Sequence, residues 1–245
     1  MTFSNRHAVL LVGALGVLVG CGSDPQVPSA ATATASTTIS AAVAATVAAV
    51  PAVRVTDAKG KGIKNILVRW RIASGGGKVI NDSVRTTASG DASSGGWTLG
   101  TTSGQQTLQA TADGIAAVTF TATASPGPLS RLTPVTLVDQ QAPVNTPVPS
   151  LPAVRAEDQY GNPISGAAVV FTIVQGNGVL VGAQQSTNEL GVAAVGAWTI
   201  GRAIGQQIVT ATAIGSNPAV FSVNALAGPP ADLLRVVGDN QAGVA

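Results

Sequence analysis

The chain has 245 residues, which is room for about two domains of ordinary size, each with its own core. Charged residues make up 10% of the chain and aromatic residues 3%, and the 29 glycines and 14 prolines are too few for collagen or outright low complexity. A formal net charge of +2 lacks the strong basic excess of most nucleic-acid-binding domains, so we expect no nucleic-acid partner.

Cysteine and histidine are each present once, which limits the available chemistry. Cys21 alone can form neither an internal disulfide nor a zinc site. His7 lies in a leader that we expect to be removed, so the mature chain would lack the commonest general base and metal ligand. We therefore predict a protein that is not an enzyme and has no cofactor and no metal.

Residues 1–20 are predicted to be a lipoprotein signal peptide. An apolar run from Ala8 to Val19 is too short to span a bilayer but suits a secretory signal. Residues 18–21, Leu-Val-Gly-Cys, resemble the bacterial lipobox, and this resemblance implies cleavage before Cys21 and lipidation of its thiol. The residues that follow imply sorting to the outer membrane if the cell is Gram-negative. The alternatives are an ordinary signal peptide and an uncleaved anchor.

Residues 21–36 are rich in Ser, Thr, Ala and Pro and show no strand or helix periodicity, which predicts a tether. The Ala/Val-rich run at residues 39–50 could pass for a helix. We interpret it as extended, because it aligns with residues 140–151, which contain three prolines.

A repeat organises the rest of the chain. Pro51-Ala-Val-Arg recurs 101 residues later as Pro152-Ala-Val-Arg, and the same offset relates Trp97 to Trp198. A register held that long indicates one duplicated structural unit. The predicted domains are residues 37–128 and 129–228, and residues 229–245 match the start of a third copy.

Apolar and polar residues alternate with period two in several short runs, and turn signals separate the runs about every ten residues. This pattern predicts an all-β fold of antiparallel sandwiches with one buried and one solvated face on each sheet. The predicted structural core is Trp97, Phe120, Phe171, Trp198 and Phe221.

The ordered motifs of the second copy resemble the bacterial immunoglobulin-like (Ig-like) group 1 domains of intimin and invasin. They are Val154 to Pro163, Val169-Val-Phe-Thr-Ile, Gly191-Val-Ala, Trp198-Thr-Ile-Gly and Gly205-Gln-Gln. The first copy departs from the pattern at Lys61-Gly62, where Asn-Pro is usual, and at Ser89-Gly-Asp. The resemblance implies a surface-exposed spacer or adhesive module, and it carries no catalytic residues.

Several possible sites have simpler structural explanations. Glu157 and Asp158 are adjacent at a strand end and should point to opposite faces, which disfavours a catalytic pair. Trp70, Trp97 and Trp198 could stack on a sugar, but the matched places of the last two favour core packing. Four aspartates near the repeat junctions could bind calcium, although no dense Asp/Asn loop is present; they are Asp57, Asp139, Asp158 and Asp239.

Basic residues concentrate in the first copy. Arg54, Lys64, Arg69 and Arg71 are predicted on solvated faces, where they could contact an anionic surface such as lipopolysaccharide or phospholipid. The alternative is a surface whose charge serves solubility.

The first copy is also expected to be the less stable one. Asp91 and Ser94 stand where the second copy has Val192 and Val195, and each change would cost on the order of 1–3 kcal/mol if the positions face inward.

The predicted function is a non-catalytic, lipid-anchored cell-surface protein, an Ig-like stalk for adhesion or for display of a further domain. Its partners would be the membrane, through the N-terminal lipid, and a host or neighbouring cell-surface protein or glycan. The alternatives are a carbohydrate-binding module and the spacer of a larger extracellular enzyme.

Overall fold

The computed structural model describes residues 26–230 and Asp232, and every regular element in that part of the chain is a strand. The predicted signal peptide, the lipidation site at Cys21 and most of the partial third copy lie outside the described residues. No helix within the described part has the length and apolarity needed to cross a membrane.

Twenty strands fall into two sets of ten, which we call the first unit and the second unit. The strands of the first unit are β1 (Ala30–Ala33), β2 (Thr38–Ala42), β3 (Ala52–Thr56), β4 (Leu67–Ser74), β5 (Gly77–Val79), β6 (Ser83–Arg85), β7 (Asp91–Ser93), β8 (Trp97–Leu99), β9 (Gly104–Thr111) and β10 (Val118–Ser125). The strands of the second unit are β11 (Arg131–Pro134), β12 (Asp139–Pro143), β13 (Ala153–Glu157), β14 (Ala168–Gln175), β15 (Val179–Val181), β16 (Gln184–Ser186), β17 (Val192–Ala194), β18 (Ala197–Thr199), β19 (Gly205–Thr212) and β20 (Ala219–Leu226).

Each unit is a sandwich of two main sheets. In the first unit a three-stranded sheet has the order β1-β3-β7 and a five-stranded sheet has the order β2-β10-β9-β4-β6. Strands β5 and β8 form a separate two-stranded antiparallel sheet. The second unit repeats this topology strand for strand. The all-β, Ig-like prediction is confirmed. The chain crosses between sheets after β1, so β2 runs parallel to β10, and this is the one parallel pairing in the five-stranded sheet.

The cores form where the predicted alternation places apolar side chains. Trp97, Phe120, Trp198 and Phe221 are 0% exposed and Phe171 is 2% exposed. Burial of each such side chain contributes about 1.5–3 kcal/mol. Each unit has a separate buried cluster, so each has the apolar interior that a domain needs.

The structure differs from the predicted tether at residues 30–33. These residues form β1, which pairs with β3 over four residue pairs, from Ala30 opposite Thr56 to Ala33 opposite Val53. The sequence Ala-Ala-Thr-Ala has no large apolar residue to reveal a strand, although Ala31 and Ala33 pack against the core. The tether prediction is therefore wrong for these residues, and the first unit begins closer to Cys21 than predicted.

The two polar substitutions in the first copy have different outcomes. Ser94 is fully buried, and its hydroxyl has no hydrogen-bond partner, as expected for an inward position. Asp91 points outward instead and accepts hydrogen bonds from Arg54 Nε (2.8 Å) and Nη2 (3.1 Å). The condition of an inward position is therefore met by Ser94 but not by Asp91, and Val192, the counterpart of Asp91, is itself only half-buried.

Candidate functional site

The connection between the two units, residues 126–130, is short and is held at two points. The Gly127 N–H donates to the carboxylate of Asp158 (2.8 Å), and the Ser130 N–H donates to the carbonyl oxygen of Glu157 (2.9 Å). Both acceptors lie at the end of β13 or directly after it. The chain therefore enters the second unit bound to the turn that follows β13.

Asp158 organises this turn. Its Oδ1 accepts from the backbone N–H groups of Tyr160 (2.8 Å) and Asn162 (2.9 Å), which is the local bonding that makes aspartate a turn residue. Its Oδ2 accepts from the Gly127 N–H and from Asn162 Nδ2 (2.8 Å). Gly161 takes the positive φ of 86° that the reversal requires.

The environment of Asp158 favours the ionised carboxylate although the side chain is fully buried. Burial acts to raise the pKa of Asp158, but the hydrogen bonds from Asn162, Gly127 and Tyr160 together outweigh it and lower the pKa below its usual value. The carboxylate is thus a charged acceptor fixed in place by four N–H groups. Removing it would leave buried donors without a partner.

Asn162 joins this turn to the first unit. Its Nδ2 donates to the carbonyl oxygen of Thr101 (2.8 Å), and its Oδ1 accepts from the Ser103 N–H (2.8 Å). Thr101 and Ser103 lie in the loop between β8 and β9. Nδ2 also donates to Asp158, so both N–H groups of Nδ2 and the oxygen Oδ1 have partners. Asn162 is only 6% exposed.

The loop that Asn162 contacts is itself held by Gln106 of β9. Gln106 Oε1 accepts from the Gly100 N–H (2.8 Å), and its Nε2 donates to the carbonyl oxygen of Thr102 (2.8 Å). Gln207 makes the equivalent bonds to Gly201 and Ala203 in the second unit. These contacts give the repeated Gly-Gln-Gln motif a structural role, since its second glutamine fixes the loop at the far end of each unit.

The first unit keeps the turn but lacks the bridge. Asp57 Oδ1 accepts from the N–H groups of Lys59 and Lys61, both at 2.9 Å, as Asp158 does in the second unit. Lys61 occupies the place of Asn162 and is exposed. Sequence reasoning did not identify the role of Asn162 in joining the units. The signal was the departure at Lys61-Gly62.

The aspartates considered for calcium are not brought together. Both carboxylate oxygens of Asp158 are bonded to N–H groups, and Asp139 accepts from the Ser222 hydroxyl at a different place in the second unit. Asp239 lies outside the described residues. Within the part of the chain that the structure describes, no group of three or more His, Cys, Asp or Glu side chains is positioned to hold a metal ion.

Glu157 and Asp158 have separate partners. Glu157 accepts from Arg131 Nε (2.7 Å) and the Thr133 hydroxyl (3.0 Å), and Arg155 Nε lies 3.5 Å from it. Burial raises the pKa of Glu157, but the hydrogen bonds from Arg131 and Thr133 outweigh it and the net pKa is lowered. Neither carboxylate is left free to act with the other as a catalytic pair.

The tryptophans do not form an exposed platform. Trp97 and Trp198 are 0% exposed and Trp70 is 3% exposed. Trp70 packs against Phe120 with the ring centroids 5.8 Å apart. These rings belong to the cores and cannot stack on a sugar from outside.

The structure does not gather the four predicted basic contact residues into one patch. Arg54 lies on β3 of the three-stranded sheet, whereas Arg69 and Arg71 lie on β4 of the five-stranded sheet. Arg54 is paired with Asp91, and Arg69 Nη1 lies 3.4 Å from Asp113. Lys64 is exposed and lies just before β4.

No protein-family model and no curated protein sequence matches this chain. Solved structures match at low identity. InvD of Yersinia pseudotuberculosis is 21% identical with a TM-score of 0.51, and the match covers 84% of this chain and 61% of that chain.

Two further matches have lower TM-scores. The D0-D1 domain of intimin is 19% identical with a TM-score of 0.28, covering 79% of this chain and 98% of that chain. Invasin, a bacterial integrin-binding protein, is 21% identical with a TM-score of 0.39, covering 82% of this chain and 40% of that chain. The likeness to InvD concerns the fold alone: this chain has tandem Ig-like sandwiches.

Proposed function

We propose that this chain is a non-catalytic, lipid-anchored cell-surface protein whose tandem Ig-like units form a stiff stalk. The observation that carries the proposal is the side chain of Asn162, which bonds the first unit and the second unit at once. A stalk keeps a distal surface away from the membrane only if its joints resist bending. A buried, fully hydrogen-bonded joint supplies that resistance.

The proposed anchor is a lipid on Cys21, argued from the lipobox-like residues 18–21 and the apolar run before them. Several acyl chains give the stable attachment that one chain does not. The proposed site of action is the bacterial cell surface, in the outer membrane if the cell is Gram-negative.

The proposed domains are residues from about 26 to 128 for the first unit and 129–228 for the second, because β1 extends the first unit toward Cys21. Residues 229–245 are proposed to start a third copy. The stalk would serve adhesion to a host or neighbouring cell-surface protein, or would display a further domain. In the latter case it could be the spacer of a larger extracellular enzyme.

The anchor and the location are tested together in cells. The full chain expressed in a Gram-negative bacterium should incorporate labelled palmitate, and the mass of its N-terminal peptide should match an acylated cysteine. The Cys21→Ser variant should incorporate none and should leave the membrane fraction. Wild-type protein without any acyl group would contradict the proposal, and so would protein that protease added to intact cells cannot reach.

A second candidate function is favoured by one groove on the five-stranded sheet of the second unit. It is open to solvent, has a volume of about 520 Å³ and is lined by polar residues: Asp139, Gln140, Gln141, Gln206, Ser222 and Asn224. Such groups hydrogen-bond sugar hydroxyls, so a glycan is the alternative ligand. Binding on a glycan array that is lost in Asn224→Thr, the threonine being the residue of the first unit, would support it. Equal binding by wild type and variant would remove it.

A further inference from the structure

The N-terminal end of the first unit is where the chain enters the fold. The Ser29 N–H donates to the Thr56 carbonyl oxygen (2.8 Å), and Ala30 is paired with Thr56 at the start of β1. Thr56 also forms an isolated bridge with Gly62, at the end of the Asp57 turn. The entry point and this turn therefore lie side by side.

Four basic residues lie in this turn or close after it, at the same end of the unit, and we call them the basic pole: Lys59, Lys61, Lys64 and Arg85. Lys59 and Lys61 are in the Asp57 turn, and Lys64 follows it. Arg85 Nη1 donates to the carbonyl oxygen of Asn65 (2.9 Å), which fixes Arg85 beside Lys64. All four side chains are exposed.

Few acidic groups offset this charge. Of the neighbouring carboxylates, Asp91 is bonded to Arg54 and Asp113 is 3.4 Å from Arg69, so each has a cation of its own outside the basic pole. Asp57 accepts from two backbone N–H groups of its turn and is the one carboxylate within that turn. The basic pole therefore carries a net positive charge.

The second unit is neutral at all four matched positions, where it has Tyr160, Asn162, Ser165 and Ser186. This difference is informative because the matched end of the second unit faces the first unit, whereas nothing in the described chain covers the basic pole. Exposure alone does not account for the charge, since Ser165 and Ser186 are exposed and uncharged.

We propose that the basic pole binds anionic lipid headgroups at the membrane to which the chain is anchored. The orientation rests on the lipid anchor of the proposed function. Only the eight residues 22–29 separate Cys21 from β1, and fully extended they reach at most about 28 Å, so the anchor holds this end of the unit near the bilayer. Basic side chains there meet the negative surface potential of an anionic leaflet.

Binding at the basic pole would control the orientation of the first unit, which the anchor alone cannot do. A lipid fixes one end of the chain but leaves the first unit free to tilt about the residues that precede β1. Contact between the headgroups and the cations of the basic pole would limit this tilt and hold the unit upright on the bilayer. The stalk would then be directed outward from its base.

The test uses residues 22–245, which include every described strand and lack the lipid. Co-sedimentation is measured with vesicles of phosphatidylcholine alone and of phosphatidylcholine mixed with phosphatidylglycerol in equal parts. The protein should bind the anionic vesicles at low salt and lose this binding at high salt, and it should not bind the neutral vesicles. No binding to the anionic vesicles at low salt would overturn the proposal and would leave the anchor, which is tested by palmitate incorporation, untouched.

Two variants with the same change of net charge locate the site. Each basic residue near an anionic bilayer raises the partition coefficient about fivefold, so Lys61→Asn with Lys64→Ser should lower it about 25-fold. The matched control, Arg71→Thr with Lys78→Gln, removes two exposed cations away from the pole and should change it far less. Equal losses would mean that overall charge drives binding. Displacement by inorganic phosphate beyond that by chloride at equal ionic strength would mean a free-phosphate site, and either result overturns the proposal.

Discussion

The buried hydroxyl of Ser94 makes a sharp prediction about the relative stability of the two units. Ser94 is 0% exposed and its Oγ has no hydrogen-bond partner, whereas Val195 at the matched place is 2% exposed within an apolar cluster. Burying an unpaired hydroxyl costs about 1–3 kcal/mol, and burying a valine side chain contributes about 1.5–3 kcal/mol. We therefore expect Ser94→Val to stabilise the first unit by about 1–2 kcal/mol after the cost of fitting two methyl groups.

The reverse change, Val195→Ser, should destabilise the second unit by about 2–4 kcal/mol, because it removes apolar contacts and buries an unpaired hydroxyl. Hydrogen exchange followed by mass spectrometry on the full chain reads the two units separately. Thermal melting gives a shift of about 4–8 °C per kcal/mol for a unit of this size. We also expect the wild-type first unit to exchange faster than the second.

Ser94→Ala separates the hydroxyl from the missing volume. It removes the unpaired group and adds nothing, so the first unit should hold its stability or gain slightly. A loss of stability in Ser94→Ala would show that the hydroxyl makes a stabilising interaction. A loss in Ser94→Val would show that the first unit has less space at this position than the second unit has around Val195. Either outcome would refute the reasoning.

Two further predictions concern the residues around the junction. The pKa of Asp158 is lowered, so its contribution to stability is complete above about pH 4 and is lost as the pH falls below that value through the native pKa. In urea unfolding measured over a series of pH values, Asp158→Asn should therefore reduce the loss of stability at acid pH. An unchanged loss at acid pH would contradict this. Gln106→Met should free the loop that Asn162 contacts and so loosen the junction between the units. Gln207→Met, the same change in the second unit, should leave the junction intact. Limited proteolysis should therefore cleave the 126–130 connection faster in Gln106→Met but not in Gln207→Met.

Much of the fold follows from period-two patterning because a sandwich needs one buried face per strand. The positions of Trp97, Phe120 and Phe221 inside the cores follow from that rule. Strand β1 could not be foreseen, since Ala30–Ala33 has only small residues and is specified by its pairing with β3. Small residues have too little apolar area for their alternation to indicate which face of a strand is buried.

The junction was harder to predict than the cores. A Gly-Asn-Pro turn indicates a reversal, but nothing local shows that Asn162 reaches Thr101 and Ser103, about sixty residues earlier. The outward direction of Asp91 depends likewise on Arg54, which lies on a neighbouring strand. Contacts of this kind depend on how the strands and units pack, and alternation along one strand does not encode them.

The central claim is that Asn162 holds the two units in one relative orientation. The direct measurement is the distance distribution between spin labels on Arg71→Cys and Thr172→Cys, two exposed positions matched between the units, in residues 22–245. We expect one narrow distance distribution, which broadens in Asn162→Lys and stays narrow in Lys61→Asn. Asn162→Lys should keep the turn itself, because the first unit forms the same turn with lysine at the matched position. A broad distribution in the unsubstituted junction, or a narrow one that survives Asn162→Lys, would contradict it.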